Sequence, residues 1–432
     1  MGIFQKSNSD NIQAKPLEYW EEQSYMIIPC NSAEEVINET IFDRISSVDG
    51  VTVKTCHMLS SDTPGQAVID YDGEEYRIAF YPEKFEVPDI RIKEQFFSDE
   101  ELSALKNREE AVTVFMPFKA DSQRSYHLQL KLAVALVPDM VGIYDESAEK
   151  LLSPRWVKMA AESRILPSPD SLYTVQAVSG KGTDIWLHTH GLCRCGLSEL
   201  EILQSNRENI DRHYELISHL ASMMINKQTS PDDTEGFYIG KLTGDMPLVV
   251  TTRPWTEGLK YYKNLKLGGL NDRENGHNTK TSLIFIYKNE QDEENKVISK
   301  ITDYDGQWGD NPLLFLSNQE TDRMKALARE RFGLVKKAFE NGMTNVLIKI
   351  GLAIDEQYRN DDNDNQKEHI WFELLGFHDD TFRARLIQDP YWIDGIREGW
   401  EADFTVNDIT DWRIFTEEFP ISPEAAYLIA YQ

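Results

Sequence analysis

Residues 184–203, DIWLHTHGLCRCGLSELEIL, pack two histidines, two cysteines and two glutamates into one short run. Alternation over Asp184–Gly191, and again over Glu199–Leu203, predicts two strands. Gly191 and Gly196 bracket the turn between them. Side chains two apart on a strand share a face, so Asp184, Trp186, His188 and His190 project together while Ile185 and Leu187 project the other way. Glu199 and Glu201 share a face on the returning strand. Two chemistries fit this set. Imidazole and carboxylate at such spacing can hold zinc through three protein ligands, leaving an open position that activates water. His188 and His190 would then be metal ligands, and Glu199 or Glu201 the base. Against this, Cys193 and Cys195 are spaced more tightly than paired zinc cysteines, and no second Cys/His cluster follows at finger distance. The competing expectation is structural: the histidines and glutamates form a hydrogen-bonded polar face and the cysteines are small core residues. The structural expectation is the stronger. The stretch is still the best place for a binding site, with Trp186, His188, His190, Arg194, Glu199 and Glu201 as candidates.

The surrounding chain sets the architecture. Directly after the motif, residues 205–224 have helical periodicity, with Ile210, Tyr214, Ile217, Leu220, Ala221 and Met224 on one face. His213 lies beside them and is expected to be a satisfied helix-surface histidine. Upstream, SYMIIPC (24–30) predicts a strand, and Ser32 with Glu35 forms a capping box for a helix through Ile45. Three strands follow within 51–82, and Asp72-Gly73 supplies a hairpin turn between two of them. Residues 122–137 form a helix apolar nearly all round, so it should be buried. Downstream, strands are expected at MPLVVTTRPW, KTSLIFIYKN and NPLLFL, with NEQDEENK (289–296) as a solvated loop. A helix over 321–342, facing inward through Met324, Leu327, Ala328, Val335, Ala338 and Phe339, leads into further strands at 368–377, 381–388, 400–406 and 408–415. The expected fold is α+β. Several layered α/β subdomains (1–97, 98–230 and a β-rich 231–317) precede a C-terminal helix with a small antiparallel sheet or barrel (318–432).

Composition narrows the partners. With 45 Lys+Arg against 73 Asp+Glu, the 432-residue chain carries a net charge of −28. A polyanion is repelled by such a surface, and no Lys/Arg run offers a local exception, so nucleic acid is not an expected partner. No apolar run is long enough to span a membrane. Four cysteines are too few for a disulfide scaffold, and the first residues lack the apolar core of a signal peptide. The expected location is the cytoplasm.

Other motifs are weaker. SGKGT (179–183) fails as a phosphate loop, because Gly182 stands where Ser or Thr is needed and Val175 where the earlier Gly is needed. Neither a Gly-x-Ser-x-Gly elbow nor a dinucleotide fingerprint occurs. Arg253, Trp255, Arg273 and His277 have the composition of a ligand clamp and form a second candidate patch, although ordinary loops share that content. Glu368 and His369 are adjacent on one strand and face opposite sides, so they cannot act as an acid–base pair.

The last quarter of the chain resembles a bacterial family named domain of unknown function 2314. The matching residues are ALAR (326–329), EHIWFELLGF (368–377), RLIQDPYWIDGIREGW (385–400) and DITDW (408–412). Glu368, His369, Trp371, Asp389, Pro390, Gly399, Asp411 and Trp412 fit its pattern, while Trp400 stands where that family usually carries Asp. Asp411 is expected to orient a backbone turn, and Trp412 to plug the end of the sheet. The preceding part, with WLHTHGL and ELEIL, is similar to the family numbered 4026, which is found fused to the first. Neither family brings an activity. Domains of this type are sometimes encoded near secreted toxins, so the resemblance implies an immunity or binding role by association alone. The expectation is a non-catalytic cytoplasmic binding protein with a protein partner and no cofactor. The alternative is a metal-dependent hydrolase, with zinc at His188 and His190.

Overall fold

A computed structural model of the chain describes residues 23–58, 63–88, 92–93, 95–180, 182–232, 235–242, 246–273, 279–307, 313–314, 317–359 and 367–431. Residues 1–22, part of NPLLFL and His277 lie outside the described residues. The chain forms two compact units. Met1–Glu94, Asp99–Pro154 and Pro169–Leu314 make up the first, and Gln95–Ser98, Arg155–Ser168 and Phe315–Gln432 the second.

The first unit opens with β1 (Gln23–Cys30), α1 (Ala33–Val36), α2 (Ile41–Ser46), β2 (Val51–His57), β3 (Gly65–Tyr71), β4 (Glu74–Lys84) and β5 (Ile92–Lys93). It continues through α3 (Asp99–Lys106), β6 (Glu110–Pro117), α4 (Ser122–Leu136), β7 (Ile143–Asp145) and β8 (Lys150–Leu152). Its first sheet has the order β2-β3-β4-β6-β1-β7-β8-β5. The helix expected from Ser32 onward breaks into α1 and α2. Ser32 does cap α1, its hydroxyl accepting from Glu35 N. The Asn38 side chain then accepts from both the amide and the hydroxyl of Thr40, offering the backbone a local alternative to continued helix. Asp72 and Gly73 both have positive φ, 50° and 87°, as the tight hairpin between β3 and β4 requires. Helix α4 is buried as its composition predicts, and Gln129 fixes it to the sheet by donating to the carbonyls of Ser24 and Val114.

After α5 (Pro154–Glu162) the chain enters a second sheet. Its strands are β9 (Thr174–Ser179), β10 (Ile185–His190), β11 (Glu199–Ser205), β12 (Phe237–Lys241), β13 (Pro247–Pro254), β14 (Thr281–Tyr287), β15 (Ser299–Lys300) and β16 (Leu313–Leu314). Their order is β16-β12-β13-β14-β11-β10-β9, with β15 beside β14. Among the described residues of this sheet, only β11 and β14 pair in parallel. The sheets therefore cut across the boundaries expected at 97 and 230: β6–β8 join the first sheet, and β9–β11 share the second with β12–β14. This sheet also carries α6 (Ile210–Lys227), α7 (Trp255–Gly258) and α8 (Glu290–Glu294). Helix α8 corrects the expected loop at 289–296. Asn289 caps it by accepting from Asp292 N, and acidic residues crowd its first turn, where the helix dipole favours them. Trp186, Leu203, Tyr262, Leu283 and Phe285 form a buried core cluster on this sheet.

In the second unit, α9 (Asn318–Glu330) and α10 (Phe332–Glu340) replace the single helix expected over 321–342, breaking at Arg331. They precede β17 (Val346–Ala353), β18 (Lys367–His378), β19 (Thr381–Leu386), β20 (Glu401–Thr405), β21 (Ile409–Phe415) and β22 (Pro420–Ile421). Every pairing is antiparallel, and the sheet is open, in the order β20-β19-β18-β17-β21-β22. The barrel alternative is thus ruled out. Trp412 is fully buried, and its indole N–H donates to Ala328 O of α9 at 2.9 Å.

Candidate functional site

The strand-turn-strand forms as expected, and its ladder places His188 directly opposite Glu201. The polar residues are turned inward. Glu199 accepts from the amides of Gly191 and Cys193, both at 2.9 Å, and from the Thr189 hydroxyl at 2.6 Å. Thr189 in turn accepts from Leu200 N at 2.8 Å. The Glu199 carboxylate is thus the brace of the turn, a one-turn 3-10 segment over Cys193–Cys195. Gly191 has φ +116°, and a Cβ there would lie 2.4 Å from Leu172 O, so only glycine fits. Cys195 is buried, which pushes its thiol up to about 11 and leaves it unreactive.

Glu201 is fully buried and gripped at both oxygens by Arg273, each contact 2.7 Å. Trp186 Nε1 donates to the same carboxylate at 3.2 Å. Arg273 also reaches Thr281 Oγ1 at 2.9 Å and Gly268 O at 3.1 Å, and its guanidinium lies over the Trp255 ring at 4.6 Å. Arg273 and Trp255 of the second patch are therefore joined to the first by an ion pair. Arg253 donates to Thr251 Oγ1 and Thr252 O. His188 stacks on Trp186, ring centroids 4.2 Å apart, and meets His190 edge-on at 4.9 Å. His190 Nδ1 approaches Glu149 Oε1 at 3.6 Å, and Gln176 donates to the other oxygen of Glu149.

Arg194 faces away from this cluster. It is buried between the rings of Phe118 and Tyr126 and pairs bidentately with Asp145 at 2.7 and 2.9 Å. It also donates to Ser24 Oγ and Leu172 O. A guanidinium engaged on every side is a fastener between the two sheets, not a ligand contact. The zinc arrangement does not form either. Both glutamates have their oxygens occupied by N–H and O–H donors. Among the described residues, no three His, Cys, Asp or Glu side chains group so as to hold a metal ion.

His213 departs from expectation. It is completely buried, whereas Tyr214, expected on the inner face, is 42% exposed. Its Nδ1 lies 2.8 Å from Ser205 Oγ and its Nε2 3.0 Å from Asp305 Oδ1. Burial lowers its pKa, and Asp305 opposes the shift. The Ser-His-Asp line looks like a proton relay in composition only, because Ser205 is itself 1% exposed and beyond substrate reach. Ile217, Leu220, Ala221 and Met224 are buried as expected, but near the start of α6 the inner position is taken by His213 and not Tyr214, its imidazole meeting Asp305, 92 positions downstream.

In the second unit, Glu368 faces the loop after β19. Its two oxygens accept from Tyr391 N at 2.8 Å and Trp392 N at 2.9 Å. Asp389 accepts from Glu398 N, and Asp355 from Asp394 N, both at 2.8 Å. Asp394 in turn accepts from Tyr358 Oη at 3.0 Å. The ends of the loop are tied together by Leu386 N donating to Trp400 O and Gly399 N to Leu386 O, both at 2.8 Å. Gly399 has φ +87°, and Trp400 sets its ring against Phe372 and Phe404. This pinned backbone holds Tyr391 78% and Trp392 51% exposed. Sequence reasoning missed both residues. The Tyr-Trp pair directly after Asp389-Pro390, where a turn keeps large rings at the surface, was the available signal.

The description "Protein of unknown function (DUF4026) N-terminal" matches residues 24–167 and its C-terminal counterpart matches 174–285, together more than half of the chain. The chain belongs to the DUF4026 family. Residues 318–426 match "Uncharacterized protein conserved in bacteria (DUF2314)". Asp145 lies in the N-terminal part of the DUF4026 region and Arg194 in its C-terminal part, so their ion pair fastens the two parts together. The Glu368-pinned loop belongs to the DUF2314 domain. No curated protein and no solved structure matches the chain. Among the described residues, no helix is long and apolar enough to cross a membrane.

Proposed function

We propose that this chain is a non-catalytic binding protein of the cytoplasm, and that the DUF2314 loop over residues 387–398 is its contact point with a protein partner. The observation that carries this is the double hydrogen bond from Tyr391 N and Trp392 N to Glu368, which fixes two exposed aromatic side chains on a rigid backbone. Rigid aromatic anchors give contact area at low entropic cost and dominate many interfaces. The His-x-His stretch supports the same view, since its charged side chains are engaged within the fold. Free thiols at Cys30, Cys56, Cys193 and Cys195 agree with a reducing compartment. An immunity-like role would be one form of such binding. Affinity purification of the tagged chain from its native cells tests the proposal. A stoichiometric partner held by the native chain and released from Trp392→Ala is the expected result. The absence of any stoichiometric partner would overturn it.

A further inference from the structure

We propose that the 387–398 loop docks an arginine-bearing segment of the partner. This rests on the binding role above and adds the chemistry of what is bound. Exposed aromatic rings alone would fit many occupants, and it is the charge around them that selects one. Asp355, Glu356, Glu368, Asp389, Asp394 and Glu398 belong to the loop or to the segments hydrogen-bonded to it, against the guanidinium groups of Arg359 and Arg397. Four of the six carboxylates hold the loop together. Glu356 and Glu398 make no side-chain hydrogen bond or ion pair among the described residues and are exposed. They are therefore available to an incoming cation. Trp392 meets the ring of Tyr358 edge-on at 5.6 Å, which fixes its orientation. A guanidinium is the cation that suits this surface best. Its plane stacks on an indole or phenol face, and its donor fork pairs with a carboxylate at two points, while an ammonium does neither as well. The net charge of −28 would draw a basic partner in from a distance.

Calorimetric titration of the full chain with a decapeptide alternating arginine and serine tests the proposal, with lysine and citrulline versions as comparisons. The arginine peptide should bind more tightly than the lysine peptide, and the citrulline peptide should not bind. Trp392→Ala should weaken the arginine peptide by about tenfold, and Glu356→Gln with Glu398→Gln by about fivefold. Asp379→Asn with Asp380→Asn, which removes equal charge from the exposed β18–β19 turn, should change affinity by less than about twofold. Every substituted side chain is exposed, and circular dichroism checks that each variant folds. Equal weakening by the two double variants would reduce the effect to diffuse charge and overturn the inference. So would indifference to Trp392→Ala, or Trp392-dependent binding of maltohexaose in place of the arginine peptide. If the arginine peptide fails while a Trp392-dependent native partner still copurifies, this inference falls and the binding role stands.

Discussion

Arg273 clasps both oxygens of Glu201 from 72 positions away in sequence, and both side chains are almost completely buried. The pair converts the most conspicuous carboxylate of the His-x-His stretch from a candidate base into a tether for the loop before β14. Removing one member leaves an uncompensated charge in the interior. Arg273→Met should therefore destabilise the first unit by about 3–5 kcal/mol, and Arg273→Met with Glu201→Leu by clearly less. Urea denaturation followed by circular dichroism measures both. Equal losses would mean the pair is not the dominant interaction.

His213 predicts a pH dependence. Burial holds its folded pKa below the unfolded value of roughly 6.5, so between the two the unfolded chain binds more protons. The stability it contributes is complete above the unfolded pKa and is lost as pH falls through the folded one. His213→Gln should flatten the fall in unfolding midpoint on acidification below about pH 6.5, while lowering the midpoint at neutral pH. An unchanged slope would remove His213 from the acid response.

Trp412 predicts the stability of the second unit. It is completely buried against α9 and donates to Ala328 O. Trp412→Ala should cost about 3–5 kcal/mol. Trp412→Phe keeps much of the ring but leaves the carbonyl unsatisfied, for a loss of about 1–3 kcal/mol. Thermal unfolding of both variants orders them. A Phe variant as weak as the Ala variant would assign the effect to the hydrogen bond alone.

Glu368 predicts local order. Glu368→Gln replaces one acceptor oxygen by a donor, so only one of the two loop amides keeps its bond. Amide exchange at Tyr391 and Trp392 should accelerate by about tenfold while the rest of the sheet keeps its protection. Exchange that rises throughout the unit would show that Glu368 supports the sheet and not the loop.

Much of the architecture was legible along the chain. Strand alternation at Asp184–Gly191, the Asp72-Gly73 hairpin, the buried helix α4 and the Ser32 cap are local patterns, and each formed where its pattern placed it. Failures came where local rules competed. Asn38 interrupted a periodic helix, and a capped acidic run at 290–294 folded where polarity alone suggested a loop.

The sequence by itself determined the α+β class, most strands, the charge of −28 and the resemblance to two families, because these depend on period, composition and neighbours in the chain. Tertiary structure alone decided what each polar side chain does. Alternation places Glu201 on a face but cannot say that Arg273 will meet it there. Helical period could not foresee that Asp305 would draw His213 inside. Nor could the Glu-His-x-Trp signature reveal that Glu368 holds two exposed rings in place. Each of these rests on a partner tens of positions away, and the energy of a buried charge or amide is fixed by that partner and not by its neighbours in sequence.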